Sequence, residues 1–183
     1  MQDNIRCKWC NLNNPVYVKY HDEEWGVLNS DDGYLFEMLI LESFQAGLSW
    51  EIVLNKRENF RSAYDNFDVV KVSKYNEDKI GALIQDTSII RNKRKILASV
   101  ENARVFISIQ KQFGSFYKYL CTFTGGKTIF ETDKTYSSLS DAISKDLNMR
   151  GMKFVGTTVI YSYLQAIGII NSHEKQCFKH KNP

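Results

Sequence analysis

One carboxylate stands where helical periodicity calls for oil. Leu35, Met38, Leu39 and Glu42 occupy positions i, i+3, i+4 and i+7, the spacing that gathers side chains on one face of a helix. Three of the four are apolar, so Glu42 points where its neighbours bury. Burial disfavours a free charge, and such an acid must be ion-paired, hydrogen-bonded or held protonated. Two readings stay open: a salt bridge across the core, or an acid reserved for a ligand.

A second set of chemically capable residues lies near the two ends. Thirteen residues separate Cys7 from His21, and three separate His173 from Cys177; the latter is the i, i+4 spacing that lets two side chains on one helical turn reach a single ion. Four cysteines are too few for a secreted disulfide scaffold in 183 residues, which leaves free thiols or metal ligands. Two thiolates and two imidazoles offer the tetrahedral set that zinc favours, which would tie the termini together; the other reading is that they are unrelated surface and core residues. With every position filled by protein, such a zinc would have a structural task and no activated water. Cys10 and His180 compete for the same role, while Cys121, in an aromatic run, reads as a small buried residue.

Two further groups complete the inventory. Trp9, Tyr17, Tyr20, Trp25 and Trp50 cluster in sequence around the acid and the first two metal candidates. Each alone reads as core, yet Trp50 follows Glu42 by eight residues across a tight loop, so acid and ring can face one pocket. Aromatic faces beside a carboxylate suit a flat cation, such as an alkylated purine. Arg91, Lys93, Arg94 and Lys95 make a basic run without an acid, placed where one helix ends and a longer one begins. Free backbone N–H groups and the positive dipole end of that second helix suit a phosphate, and the cations reinforce it. A solvated charge run at a helix mouth is the alternative.

The elements that position these groups read as all-α. Proline occurs only at 15 and 183, so nothing between interrupts a helix. After an irregular start, Asp31 or Asp32 caps a helix to about Gln45, and Ser49 caps a second from Glu51 to about Tyr64. Asp68 and Asn76 cap two short helices, the second ending near Gln85. A long helix from about Asn92 to Gln112 follows, with Ile96, Val100, Ala103, Phe106 and Ile107 as its stripe and Gly114 beyond its end. Phe116 to Phe123 is helical or extended, Thr124 to Thr135 a loop, Ser138 or Ser140 starts a helix to Arg150-Gly151, and the last helix spans Thr157 to Ile167. The β-branched residues Thr157 to Ile160 at its start also suit a strand.

Composition is ordinary for a globular chain, 43% hydrophobic and 25% charged, with a net charge of +3 that does not by itself announce a nucleic-acid binder. The length suits one domain or two small lobes sharing a cleft. No apolar run reaches a membrane span and the start lacks a secretory core, which predicts a soluble, cytoplasmic protein.

Several blocks, in order, resemble the 3-methyladenine-DNA glycosylase type I family of the helix-hairpin-helix superfamily: Arg6 to Trp9, Tyr20 to Val27, Leu41 to Trp50, Lys56 to Phe60, Ile89 to Lys93, Arg150 to Thr158, and the His173 and Cys177 pair. The resemblance implies one glycosylase domain, 1–183, of two helical lobes. A zinc lobe would come from both termini and a hairpin lobe from about 31–135, with a base pocket between them. It implies zinc on Cys7, His21, His173 and Cys177, a base-recognising acid at Glu42, and walls from Trp9, Tyr20, Trp25 and Trp50. The implied activity is monofunctional release of 3-methyladenine from alkylated double-stranded DNA by a monomer, with Ser88, Arg91, Lys93 and Arg94 at the DNA. Three rivals stay open: a non-catalytic DNA-binding hairpin protein, a zinc hydrolase of another substrate, and the same reaction with a preference for a different damaged base. The chain departs from the family in its hairpin, which reads Thr87-Ser88 without glycine; a turn that needs positive φ would strain Ser88.

Overall fold

The computed structural model describes residues 4–181. Its centre is α2 (Asp32–Gln45), capped by Asp31, whose carboxylate accepts the Tyr34 N–H. Every residue from Leu35 through Phe44 is buried, so this helix is a core rod wrapped on all sides, where periodicity suggested one buried face.

The start is helical rather than irregular: Asn14 caps and Pro15 opens α1 (Pro15–Glu23), a pairing that suits the first turn because proline's missing N–H is unpaired there anyway. The single helix expected over 51–64 breaks into α3 (Trp50–Asn55), capped by Ser49, and α4 (Arg57–Ala63). The break at Lys56 sends neighbouring side chains opposite ways, Lys56 Nζ to the Ser88 carbonyl at 2.8 Å and Arg57 inward to Glu37. A short turn follows, with Asp65, Asn66 and Phe67 all at positive φ.

Beyond it lie α5 (Val69–Val72), α6 (Glu77–Gln85) and the 21-residue α7 (Lys93–Phe113), capped by Asp68, Asn76 and Asn92 respectively. The α7 stripe is as expected except at Ile107, which is half-buried, while Ile109 takes the interior place. Then come α8 (Phe116–Thr124), resolving the ambiguous aromatic run as helix, α9 (Ser138–Met149) and α10 (Thr157–Ala166). The β-branched start of α10 is helical because Ile160 and, further along, Tyr161, Tyr163 and Leu164 bury in the core, outweighing intrinsic preference.

The chain is thus mostly helical. Within the loop expected over Thr124 to Thr135 lies β1 (Ile129–Phe130), paired in parallel with β2 (Ile170–Asn171), Ile129 opposite Ile170. This small ladder fixes the path from α10 to His173. Gly168 is needed there: its φ is +75°, and a Cβ would lie 2.1 Å from the Val27 carbonyl carbon. The close approach lets the Gly26 N–H reach Gln165 O and the Asn29 N–H reach Ile167 O, clamping the segment that carries Trp25. No helix among the described residues is long and apolar enough to cross a membrane.

Candidate functional site

Glu42 projects from the third turn of α2 into a cavity of about 310 Å³, the lower end of the size range of small-molecule sites. It is 3% exposed, and its Oε2 has no hydrogen-bond partner. No basic side chain offsets the loss of water, and burial pushes the carboxyl up to about 8. The ion-pair reading of a buried acid applies instead to Glu37 on the same helix, which holds Arg57 and Arg61.

Rings wall the cavity. Tyr20 and Trp50 pack with centroids 5.3 Å apart, and Trp9 meets Trp25 edge-on at 4.7 Å. Trp9, Tyr20, Trp25 and Trp50 all line the space, with Tyr17 beside Trp9. The Trp50 indole N–H is also buried without an acceptor. The far wall is polar: Ser162 and Gln165 of α10, Ser172, Glu174, and the Thr132 to Lys134 loop. A flat group entering here meets rings and an unspent carboxylate oxygen. Such a site selects a positively charged, hydrogen-bond-donating aromatic.

Directly behind the Trp9 and Trp25 wall, Cys7, His21, His173 and Cys177 converge, one ligand atom from each within 4.8 Å of the others, all buried. Their tautomers are set from outside. His173 Nε2 faces the Trp25 carbonyl at 3.1 Å, which only accepts, so the proton sits there and the Nδ1 lone pair faces both sulfurs at 3.5 Å. His21 Nδ1 faces Asp22, itself gripped by Arg6, leaving Nε2 toward Cys177 at 3.5 Å. Backbone N–H groups of Glu174 and Lys179 point at Cys7 Sγ and Cys177 Sγ. Among the described residues this is the one such group, and it can hold a metal ion. The competitors stand aside: Cys10 Sγ lies by the Tyr17 carbonyl and His180 Nδ1 by the His173 carbonyl. Burial raises the Cys7 thiol and lowers His173 to about 4, so the imidazole is neutral, the form that ligates a metal.

The basic run divides. Arg91, Lys93 and Arg94 are exposed at the start of α7. Lys95 is buried and donates to the Phe44 and Ala46 carbonyls at 2.8 and 2.7 Å, which removes it from the surface patch. The expected strain at Ser88 is absent, since the positive-φ residues do not include it. The Asp86 carboxylate accepts both the N–H and the hydroxyl of Ser88, and Lys56 and Asn59 bind its carbonyl. Polar side chains close this turn where a glycine would have bent it.

The cavity's polar wall had no signal in the sequence. Ser162 and Gln165 are unremarkable residues brought to the cavity by packing of α10 on α2, and Ser172 reaches it just after β2. Glu37 also gave no signal, because its partners Arg57 and Arg61 lie 20 and 24 residues away on α4.

A family model described as methyladenine glycosylase matches residues 9–180. DNA-3-methyladenine glycosylase 1 of Escherichia coli (strain K12) is 43% identical over 178 residues, covering 94% of this chain and 95% of that protein. A crystal structure of 3-methyladenine DNA glycosylase I superposes with a TM-score of 0.92 at 41% identity, covering 97% of this chain and all of the other. A single-residue variant of such an enzyme, crystallised in complex with 3-methyladenine, superposes at 0.90 with 32% identity over 97% of this chain and all of the other. The chain belongs to the methyladenine glycosylase family.

Proposed function

We propose that this protein excises 3-methyladenine from alkylated double-stranded DNA by hydrolysing the bond between base and sugar. The observation that carries the reading is the unpartnered, buried Glu42 oxygen facing a ring-walled cavity. A base inside a duplex is out of reach, so it must first swing out of the stack. Methylation at N3 leaves adenine cationic and a good leaving group. In the cavity its charge and amino N–H groups meet Glu42, which is ionised in their presence, while Trp9, Tyr20, Trp25 and Trp50 hold the ring. Water adds to the sugar carbon, the bond electrons leave with the base and neutralise it, and the water's proton passes to solvent. Glu42 thus acts by recognition and electrostatics, and the protein has no strand-cleaving step. The lysine that lines the cavity, Lys134, is engaged by Glu131, which agrees with this.

The metal held by Cys7, His21, His173 and Cys177 is zinc in this reading. Nitrogen-to-sulfur separations of 3.5 Å fit the edges of a tetrahedron built on bonds of about 2.0–2.3 Å. Bound zinc supplies no reaction step; it locks the chain's two ends behind Trp9 and Trp25 and so holds the aromatic wall. The chain is read as a single domain, with a zinc lobe from both termini and a hairpin lobe over about 31–135, working as a monomer in the cytoplasm. Arg91, Lys93 and Arg94 at the α7 N-terminus, with the Ser88 turn, are the proposed phosphate contacts.

The test is to incubate the protein with methylated duplex DNA and identify the liberated purine by chromatography. Release of 3-methyladenine is expected; salt-sensitive binding without release returns the protein to a docking role. Chelation separates the metal's roles: stability and activity should fall together, whereas loss of activity from a fully folded protein contradicts a structural zinc.

A further inference from the structure

Of the buried charges that the reaction does not use, Glu37 and Arg57 hold each other, whereas Lys95 is held by backbone carbonyls. Lys95 lies in the first turn of α7, one residue beyond the exposed Lys93 and Arg94 pair, and is 7% exposed. Its ammonium reaches across to the C-terminal end of α2, donating to the Phe44 carbonyl at 2.8 Å and the Ala46 carbonyl at 2.7 Å. Those carbonyls have no partner within the helix and carry its negative dipole end. The same ammonium stands 5.9 Å from the Phe154 ring centre, and Phe154 has φ +56°. That strained loop is pinned in turn by Asn102, whose side chain binds both the N–H and the carbonyl of Lys153.

Three segments therefore meet at one amine: the start of the basic hairpin helix, the end of the helix that carries Glu42, and the 151–156 loop. Desolvation opposes the charge and lowers the lysine's pKa, so a cation is kept here at a cost that an apolar residue would avoid. The hairpin turn proper is held separately, by Lys56 and Asn59 on the Ser88 carbonyl.

We propose that Lys95 is a positioning residue that sets the distance between the phosphate-docking hairpin and the mouth of the base cavity, so that a nucleotide swung out of a docked duplex arrives at Glu42. This rests on the glycosylase reading. It touches neither base nor phosphate; it acts through the Phe44 to Ala46 backbone. An error of about 1 Å in such an alignment costs on the order of a hundredfold in rate.

The experiment compares wild type with Lys95→Met and Lys95→Arg in four measurements. Single-turnover excision from methylated duplex should fall about tenfold or more in Lys95→Met, while affinity for free 3-methyladenine, read by tryptophan fluorescence, and affinity for a duplex with a stable abasic analogue should each stay within about twofold. Lys95→Arg, which can still donate to two carbonyls, should recover most of the rate. In amide exchange, duplex binding should protect both 86–94 and 44–48 in wild type, and only 86–94 in Lys95→Met. Unchanged excision, a parallel loss of free-base or duplex affinity, or no recovery in Lys95→Arg overturns the proposal. A wild-type protein that releases no purine defeats the glycosylase reading instead; amide exchange then still decides the brace, because continued protection of 44–48 in Lys95→Met refutes it.

Discussion

Helix α2 buries two carboxylates five residues apart in opposite conditions. Glu37 accepts from Arg57 Nε at 2.8 Å and Arg61 Nε at 2.7 Å, and Arg57 continues to Glu24. Those cations hold its carboxyl below the usual carboxylate range despite the opposing effect of burial, so it stays charged. Glu42, slightly more buried, has no cation and is pushed up. The contrast teaches that burial alone does not mark a site. What marks it is a charge balance left open toward a space that a ligand can enter.

The two acids should fail differently. Glu37→Gln removes the anion between two arginines and leaves Arg57 buried with a weakened set of partners, which should cost about 3 kcal/mol of stability, read by urea or thermal unfolding. Excision per folded molecule should be near wild type. An intact fold with lost excision would reverse the assignment. Glu42→Gln should do the opposite: about a hundredfold loss of excision, duplex affinity nearly unchanged, and no loss of stability. Undiminished release of 3-methyladenine by this variant removes Glu42 from the mechanism.

A third variant tries to convert one condition into the other. Gln45 follows Glu42 by one turn of α2 and lines the same cavity, so Gln45→Arg offers Glu42 a cation of the kind Glu37 already has. Excision should drop about tenfold as the site is neutralised and partly filled, with stability unchanged or raised. Wild-type excision from Gln45→Arg would mean that an open charge balance at Glu42 is not what selects the base.

Glu42 was legible because the feature is local: four positions of one helix and a residue type that does not belong. The cysteines and histidines were legible as a donor set, though only the fold separates Cys7 from Cys10, by turning Cys10 toward the Tyr17 carbonyl. Glu37 was not legible, since its partners lie on α4 and α2 is buried on every side. The same holds for Lys95, which reads as one more surface cation until α7 docks on the end of α2. The break at Lys56 and the glycine-free turn at Ser88 share a cause. Side-chain bonds across 32 residues stabilise both, and no window of sequence contains them. Helix α1 is a different case, because Asn14-Pro15 is a start signal in plain sight.

The smallest expected effect separates the acids by pH. A carboxyl raised to about 8 holds its proton more tightly in the folded protein than in the unfolded chain, so between about pH 4.5 and 8 the native state binds more protons and stability falls as pH rises. Catalysis runs the other way, because the ionised form receives the cationic base: kcat/KM should rise about fivefold from pH 7 to pH 8 and level off above. Glu42→Gln should abolish both trends, giving a flat residual rate and a Tm that gains on wild type toward high pH. Glu37, lowered by its arginines, contributes stability that is present above its ordinary range and lost only as pH falls through its depressed value. Glu37→Gln should therefore leave the slope between pH 7 and 8 untouched in both measurements. If that slope disappears with Glu37→Gln and survives Glu42→Gln, the open and closed acids have been assigned the wrong way round.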